Sequence, residues 1–211
     1  MKVGILAVQG DFEAHAAMLA RLSAEPVFVR RPRDLDDVNA VILPGGESTT
    51  QWKFLVEEGL DKSVREFAAR GGAIFGTCAG AILIAREVRN PEQPSLGLAD
   101  IAVIRNAYGR QLASEVRQGL TGVSAEPIEL VFIRAPIIER VGPDVEVLAT
   151  FEGNPVLVRQ GRILIATFHP ELTNDTAVHK YFLRMAGQCF DQRSLAASLS
   201  PRLSGAPVEP Q

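Results

Sequence analysis

The sequence predicts an α/β fold: a mostly parallel sheet with helices on both faces and further antiparallel strands appended to it. Two observations predict this. Short apolar runs alternate with helical-period segments through the first 85 residues, and the later half is rich in strand-like runs with few helices between them. The 211 residues suit one domain. With 46% hydrophobic and 22% charged residues, the composition is that of an ordinary globular core and excludes a disordered chain.

The elements follow in order. Lys2 to Val8 is a continuous apolar run, read as a strand buried on both faces. Asp11 then suits an N-cap, and Phe12, Ala16, Leu19 and Leu22 recur at helical spacing. Pro26 to Val29 and Ala40 to Leu43 are the next two strands, the latter ended by Pro44-Gly45-Gly46. Ser48 is placed to cap a helix reaching roughly Glu57, and Leu60 to Arg70 reads as another. Ala73 to Phe75 is a fourth strand, leading through Gly76-Thr77-Cys78-Ala79-Gly80 into a helix over Ala81 to Ala85. Ile101 to Ile104, Glu129 to Ile133 and Val145 to Phe151 are strand-like, expected to join the same sheet. Pro155 to Val158 and Arg162 to Phe168 flank the hairpin turn Gln160-Gly161. A last helix is expected from Thr176 to Ala186, with Phe182 and Met185 inward. Residues 1–190 form the expected domain, and the Ser-, Pro- and Gly-rich segment 191–211 a loose tail.

Charge and cysteine content narrow the function. A net charge of −3 gives no electrostatic reason to expect nucleic acid or an anionic membrane as partner. The apolar start is too short for a signal-peptide core or a membrane span. Two cysteines, Cys78 and Cys189, neither make a disulfide framework nor show metal-ligand spacing. A cytoplasmic setting is therefore expected, with each thiol read separately and no metal or organic cofactor.

Three short segments carry the chemistry. Gly76-Thr77-Cys78-Ala79-Gly80 has the G-x-nucleophile-x-G form between a strand and a helix, where small residues permit a sharp turn and a helix N-terminus favours thiolate. Alone, it also suits a small buried cysteine at a tight strand–helix contact. His169-Pro170-Glu171 follows an apolar strand. The residue before proline is extended, so Glu171 can reach back to the imidazole as orienter of a base. Alone, these are a loop histidine and a surface charge. Pro44-Gly45-Gly46-Glu47-Ser48 ends a strand and opens a helix. Its N–H groups, with that of Ala79, could hold an oxyanion, although Gly-rich turns are common. His15 reads as a surface or partner-facing residue, His179 as a capping or packing one, and Cys189 as an inert thiol.

Together with Gly4 to His15, Arg105-Asn106-Ala107-Tyr108-Gly109-Arg110-Gln111 and Phe132-Ile133-Arg134-Ala135-Pro136, these motifs resemble, in order over residues 2 to 188, the glutaminase subunits of pyridoxal 5'-phosphate synthase, which are class I, triad-type glutamine amidotransferases. Leu112 to Val116 and the 191–211 extension depart from that pattern. The resemblance implies a three-layer flavodoxin-like fold, Cys78 as nucleophile, His169 as general base and acid, and Glu171 as its orienter. It implies glutamine held by Gly46, Glu47, Ser48, Arg105, Ile133 and Arg134, and an oxyanion hole at Gly46 and Ala79. The implied partners are L-glutamine and a synthase subunit that receives the ammonia. The alternatives are the glutaminase of another pathway, such as histidine biosynthesis, and a regulatory subunit without turnover. The Arg105 to Gln111 stretch argues against the first and the intact Cys-His-Glu set against the second. A cysteine hydrolase of the same fold would commonly carry histidine where Ala79 stands.

Overall fold

The computed structural model describes residues 1–105 and 114–198. In chain order the elements are β1 (Lys2–Leu6), α1 (Phe12–Arg21), β2 (Glu25–Val29), β3 (Ala40–Leu43), α2 (Ser48–Glu57), α3 (Leu60–Ala69), β4 (Ala73–Thr77) and α4 (Ala79–Ile84). There follow β5 (Ala85–Arg89), β6 (Ala99–Ile104), β7 (Ser114–Thr121), β8 (Ser124–Ile133), β9 (Ile137–Val141), β10 (Glu146–Phe151), β11 (Asn154–Gln160), β12 (Ile163–Ala166) and α5 (Ala177–Ser198).

Seven strands form the central sheet in the order β10-β11-β12-β4-β3-β1-β2. The five from β12 to β2 are parallel, and β11 and β10 run antiparallel at one edge. Strand alternation sorts the core into two halves. Val3, Ile5, Ala40, Ile42, Phe75, Leu164 and Ala166 face α1 and α5, packing with Leu19, Val178 and Phe182. Leu6, Val41, Leu43, Ile74 and Ile165 face the other way, against Leu55 of α2, Val64 and Phe67 of α3, and Leu83 of α4. Helix, sheet and helix make three layers, the flavodoxin-like arrangement expected.

The second half differs from expectation in the pairing of its strands and in the length of its last helix. Only β10, β11 and β12 join the main sheet. β5, β6 and β9 form a separate three-stranded sheet, and β7 pairs with β8 in a hairpin of its own. Both additions are cemented into the same two cores: Val88, Ile101, Val103 and Ile138 join the α2–α4 side, and Ile128, Leu130 and Phe132 the α5 side. The predicted hairpin at Gln160-Gly161 is present, with Gln160 opposite Ile163. The last helix passes the expected end at Ala186 and continues to Ser198, so its backbone enters the segment assigned to a tail. Residues 199–211 and the 106–113 part of the Arg105 to Gln111 stretch lie outside the described residues, as does the side chain of Cys189.

Strand order places the chemistry. The chain leaves β1 for β2 on one side and then crosses to β3 on the other, so the carboxyl ends of β1 and β3 open a crevice at the switch in direction. β4 and β12 are adjacent beyond β3, with Thr77 in register with Ala166.

Candidate active site

Cys78 follows the last residue of β4 and takes φ 47°, ψ −100°, a region that costs a non-glycine residue about 1–3 kcal/mol. The turn is held by Cys78 N–H donating to the Ala166 carbonyl at 2.9 Å and by Ala81 N–H donating back to the Cys78 carbonyl at 3.1 Å. Glycine at position 80 is a steric necessity, since a Cβ there would stand 2.0 Å from the Leu43 carbonyl oxygen. The thiol is nearly buried and donates to the Ile133 carbonyl at 3.7 Å. The helix that follows has only six residues, so its dipole is a smaller asset than the motif suggests.

His169 lies three residues past β12, fixed by its N–H donating to the Val131 carbonyl at 2.8 Å. Its Nδ1 stands 2.8 Å from Glu171 Oε1, so the predicted pairing forms. The route differs from the extended one expected: Pro170–Leu172 is a turn of 3-10 helix, and that turn brings the carboxylate back. Both groups are buried. With Nδ1 committed to Glu171, Nε2 is left without a hydrogen-bond partner among the described residues. Burial pulls the imidazole pKa down. The Cys78 sulfur and the Glu171 carboxylate outweigh it and raise the pKa to about 10. Burial pushes the Glu171 carboxyl up, opposed by the bond from His169.

Asp11 occupies the N-cap position of α1 as expected, but its side chain accepts no capping bond. Its Oδ2 lies instead 3.4 Å from His169 Nδ1. Asp11, His169 and Glu171 offer donor atoms within 4.8 Å of one another, yet Nδ1 and Oε1 are already committed to each other.

The Gly-rich turn after β3 lies against this pair. Gln51, wholly buried, donates through Nε2 to the Gln9 and Pro44 carbonyls at 3.0 and 3.3 Å and so ties the turns after β1 and β3 together. Glu47, not Ser48, caps α2: its carboxylate accepts from the Thr49 and Thr50 N–H groups at 3.2 and 2.7 Å. Burial works to raise the Glu47 pKa, but the Thr50 and Thr49 bonds prevail and lower it. Ser48 is buried one position later and donates to Gln93 Oε1 at 3.0 Å. Arg105 reaches the same corner, with Nη2 3.1 Å from Thr49 Oγ1 and 3.5 Å from Glu47 Oε1. Ile133 takes part through its carbonyl. Arg134 is exposed at φ 46°, and its guanidinium bonds to none of the described residues. The Gly46 turn takes φ 148°, with Glu47 N–H donating to Gln9 Oε1 at 2.7 Å. Ala79 opens α4, so its N–H has no intrahelical partner. The crevice thus offers a thiol, an imidazole paired with a carboxylate, the unpaired N–H of Ala79 and the guanidinium of Arg105, a set suited to acyl transfer from a charged amide.

Behind the pair, one expectation is overturned and one holds: His15 reads as surface-facing and His179 as packing, and their link through Thr77 is not foreseen. His15 is completely buried, not surface-facing, and His179 is buried as a packing residue would be. His15 Nδ1 lies 3.0 Å from His179 Nε2, and its Nε2 lies 3.1 Å from Thr77 Oγ1. The periodicity carried the signal: His15 stands four residues before Leu19, and His179 three before Phe182, both on buried helix faces.

The SNO glutamine amidotransferase family matches residues 5–188 of the chain. The chain is 52% identical over 185 residues to the pyridoxal 5'-phosphate synthase subunit PdxT of Koribacter versatilis, covering 88% of this chain and 95% of that one. It is 55% identical over 188 residues to the PdxT of Solibacter usitatus, covering 86% and 97%. A solved structure described as a glutamine amidotransferase superposes with a TM-score of 0.83 at 48% identity, covering 88% of this chain and 98% of that one.

Proposed function

Because the chain belongs to the SNO glutamine amidotransferase family, we propose that Cys78, His169 and Glu171 are the triad with which it hydrolyses L-glutamine to glutamate and ammonia, and that the ammonia serves pyridoxal 5'-phosphate synthesis in a partner synthase subunit. The observation that carries the assignment is the 2.8 Å bond between His169 Nδ1 and Glu171 Oε1 beside a strained cysteine at the end of the neighbouring strand.

In this mechanism the Cys78 thiolate adds to the side-chain amide carbon of glutamine. The charge that develops on the amide oxygen is met by the N–H groups of Gly46 and Ala79. The imidazolium of His169 gives its Nε2 proton to the departing nitrogen, the C–N bond breaks, and ammonia leaves a γ-glutamyl thioester. His169, now neutral, takes a proton from water as the water oxygen attacks the thioester carbon. The C–S bond breaks, glutamate departs, and the thiolate–imidazolium pair is restored. Glu171 keeps Nδ1 protonated throughout, so that Nε2 is the nitrogen that exchanges protons. Arg105 and Arg134 supply the charge for the α-carboxylate of glutamine, and Glu47, Ser48 and Ile133 shape the pocket at its amino-acid end.

Ammonia set free in water is protonated and lost as a nucleophile, so its use requires delivery to an acceptor that covers this crevice. The synthase subunit is that acceptor, and both steps belong in the cytoplasm. No helix among the described residues is long and apolar enough to cross a membrane. The test is glutamate and ammonia release from L-glutamine by wild type and Cys78→Ala, each with and without the synthase subunit. Glutamate formation by wild type with the subunit, abolished in Cys78→Ala, is the expected result. No glutamate from wild type in the presence of the subunit overturns the proposal.

A further inference from the structure

The four groups His179, His15, Thr77 and Glu171 form a buried line from α5 through α1 and β4 to the turn that carries the carboxylate. His179 Nε2 is 3.0 Å from His15 Nδ1, and His15 Nε2 is 3.1 Å from Thr77 Oγ1. Thr77 Oγ1 is 3.4 Å from Glu171 Oε1, and His15 Nε2 is 3.5 Å from the same oxygen. All four side chains are shut off from solvent.

Hydrogen-bond complementarity sets the direction of the line. An ionised carboxylate only accepts, so Thr77 gives its proton to Glu171 and can accept only from His15 Nε2–H. His15 Nδ1 must then accept from His179 Nε2–H. This leaves His179 Nδ1 as a bare lone pair, and that atom is buried with no partner among the described residues. The opposite direction would bury an unpaired N–H there and point lone pairs at Glu171 from both Thr77 and His15, which costs more. Burial first, and then the neighbouring His179 and His169, hold His15 neutral; burial does the same for His179. The charged or titratable groups facing Glu171 are thus His169 from its own turn, His15 from α1, and Asp11 from the turn before α1.

We propose that Thr77 and His15, backed by His179, are positioning residues for catalysis: a one-way chain of donors that ends on Glu171 Oε1 and holds the carboxylate ionised and aimed at His169. The chain supplies what burial removes. Oε2 of Glu171 is buried and has no side-chain partner among the described residues, so the side-chain donors that hold the anion all converge on Oε1. It also couples the site to both helices of one layer, since α1 and α5 meet through the histidine pair.

The inference rests on the glutaminase reading, and its test separates the two. Thr77→Val keeps the shape and removes the hydroxyl; Thr77→Ser restores it. Assayed as the full chain with the synthase subunit, Thr77→Val is expected to lower kcat for glutamine about ten- to hundredfold, the weight of a hydrogen bond to a charged group, with KM within about threefold. Thr77→Ser returns kcat to within about threefold of wild type. The His169 imidazolium, followed by NMR, loses its proton at lower pH in Thr77→Val than in wild type, because a less firmly held anion supports the cation less. His15→Gln, which keeps an amide donor toward Thr77, falls between. Wild-type kcat and an unmoved His169 titration in Thr77→Val overturn the proposal. If wild type itself forms no glutamate, the functional reading fails and the His169 titration alone decides this one.

Discussion

The imidazole of His169 fills the space that a side chain at Gly45 would need: a Cβ there would stand 2.3 Å from Cε1 and 2.8 Å from Nδ1. The Gly-rich turn after β3 is therefore the wall that sets the ring's position as well as a source of N–H groups. Gly45→Ala is expected to fold, since the contact is with one side chain at the mouth of the crevice. It should displace the ring and lower kcat about hundredfold, the effect of an ångström of misplacement. Steady-state glutaminase assays with a melting curve check this; full activity in a folded variant would show the ring has room to spare.

His169 holds its proton more tightly than an ordinary imidazole because the Cys78 sulfur and the Glu171 carboxylate beside it outweigh its burial. Its pKa of about 10 should appear as the basic limb of kcat/KM, where the imidazolium loses the proton that ammonia requires. Removing either group lowers that pKa. Cys78→Ser and Glu171→Gln should each shift the His169 titration, read by NMR, to lower pH. A titration unchanged in both would mean that other groups hold the proton.

Arg105 Nη2 sits between Thr49 Oγ1 and Glu47 Oε1, on the side of the crevice where the amino-acid end of glutamine is placed. A planar guanidinium grips a carboxylate through two parallel bonds, whereas lysine offers a point charge. Arg105→Lys is expected to raise KM for glutamine about tenfold with kcat within about threefold, the pattern of binding energy lost equally from ground and transition states. A kcat loss at unchanged KM would place Arg105 in the chemical step instead.

The parallel half of the fold was legible because each strand there is a nearly pure apolar run and each helix a clear 3.6-residue pattern. Ser48–Glu57 and Ala40–Leu43 fall where the pattern put them. The antiparallel additions were less so. β5 and β9 are five residues each, and charged positions, Arg86, Glu87 and Arg89 in the one and Glu139 and Arg140 in the other, interrupt the buried Val88 and Ile138. Their pairing depends on long-range partners that no local window contains. The triad residues could be named because each stands in a short motif at a strand end. The supporting groups could not, because Thr77, His15 and His179 lie 62 to 164 residues apart and only the folded layers join them. The polarity of the two histidines on buried helix faces was the available clue, and it reads as packing until a partner is seen.

The same pair of histidines makes acid stability a measurable consequence. His179 is neutral in the folded protein, its pKa pushed down by burial to about 3 from an ordinary 6.5. Between those values the unfolded chain binds a proton that the folded chain refuses, so stability falls as pH drops through that window. His15, also depressed by burial, adds to the same loss. Urea unfolding between pH 7.5 and pH 4 should therefore show a progressive fall for wild type. His179→Gln keeps an amide donor toward His15 but cannot take up the proton, and it should be less stable than wild type at pH 7.5 while losing less stability on acidification. Parallel pH profiles for the two proteins would mean that His179 accepts a proton without unfolding, which would break the donor line at its source.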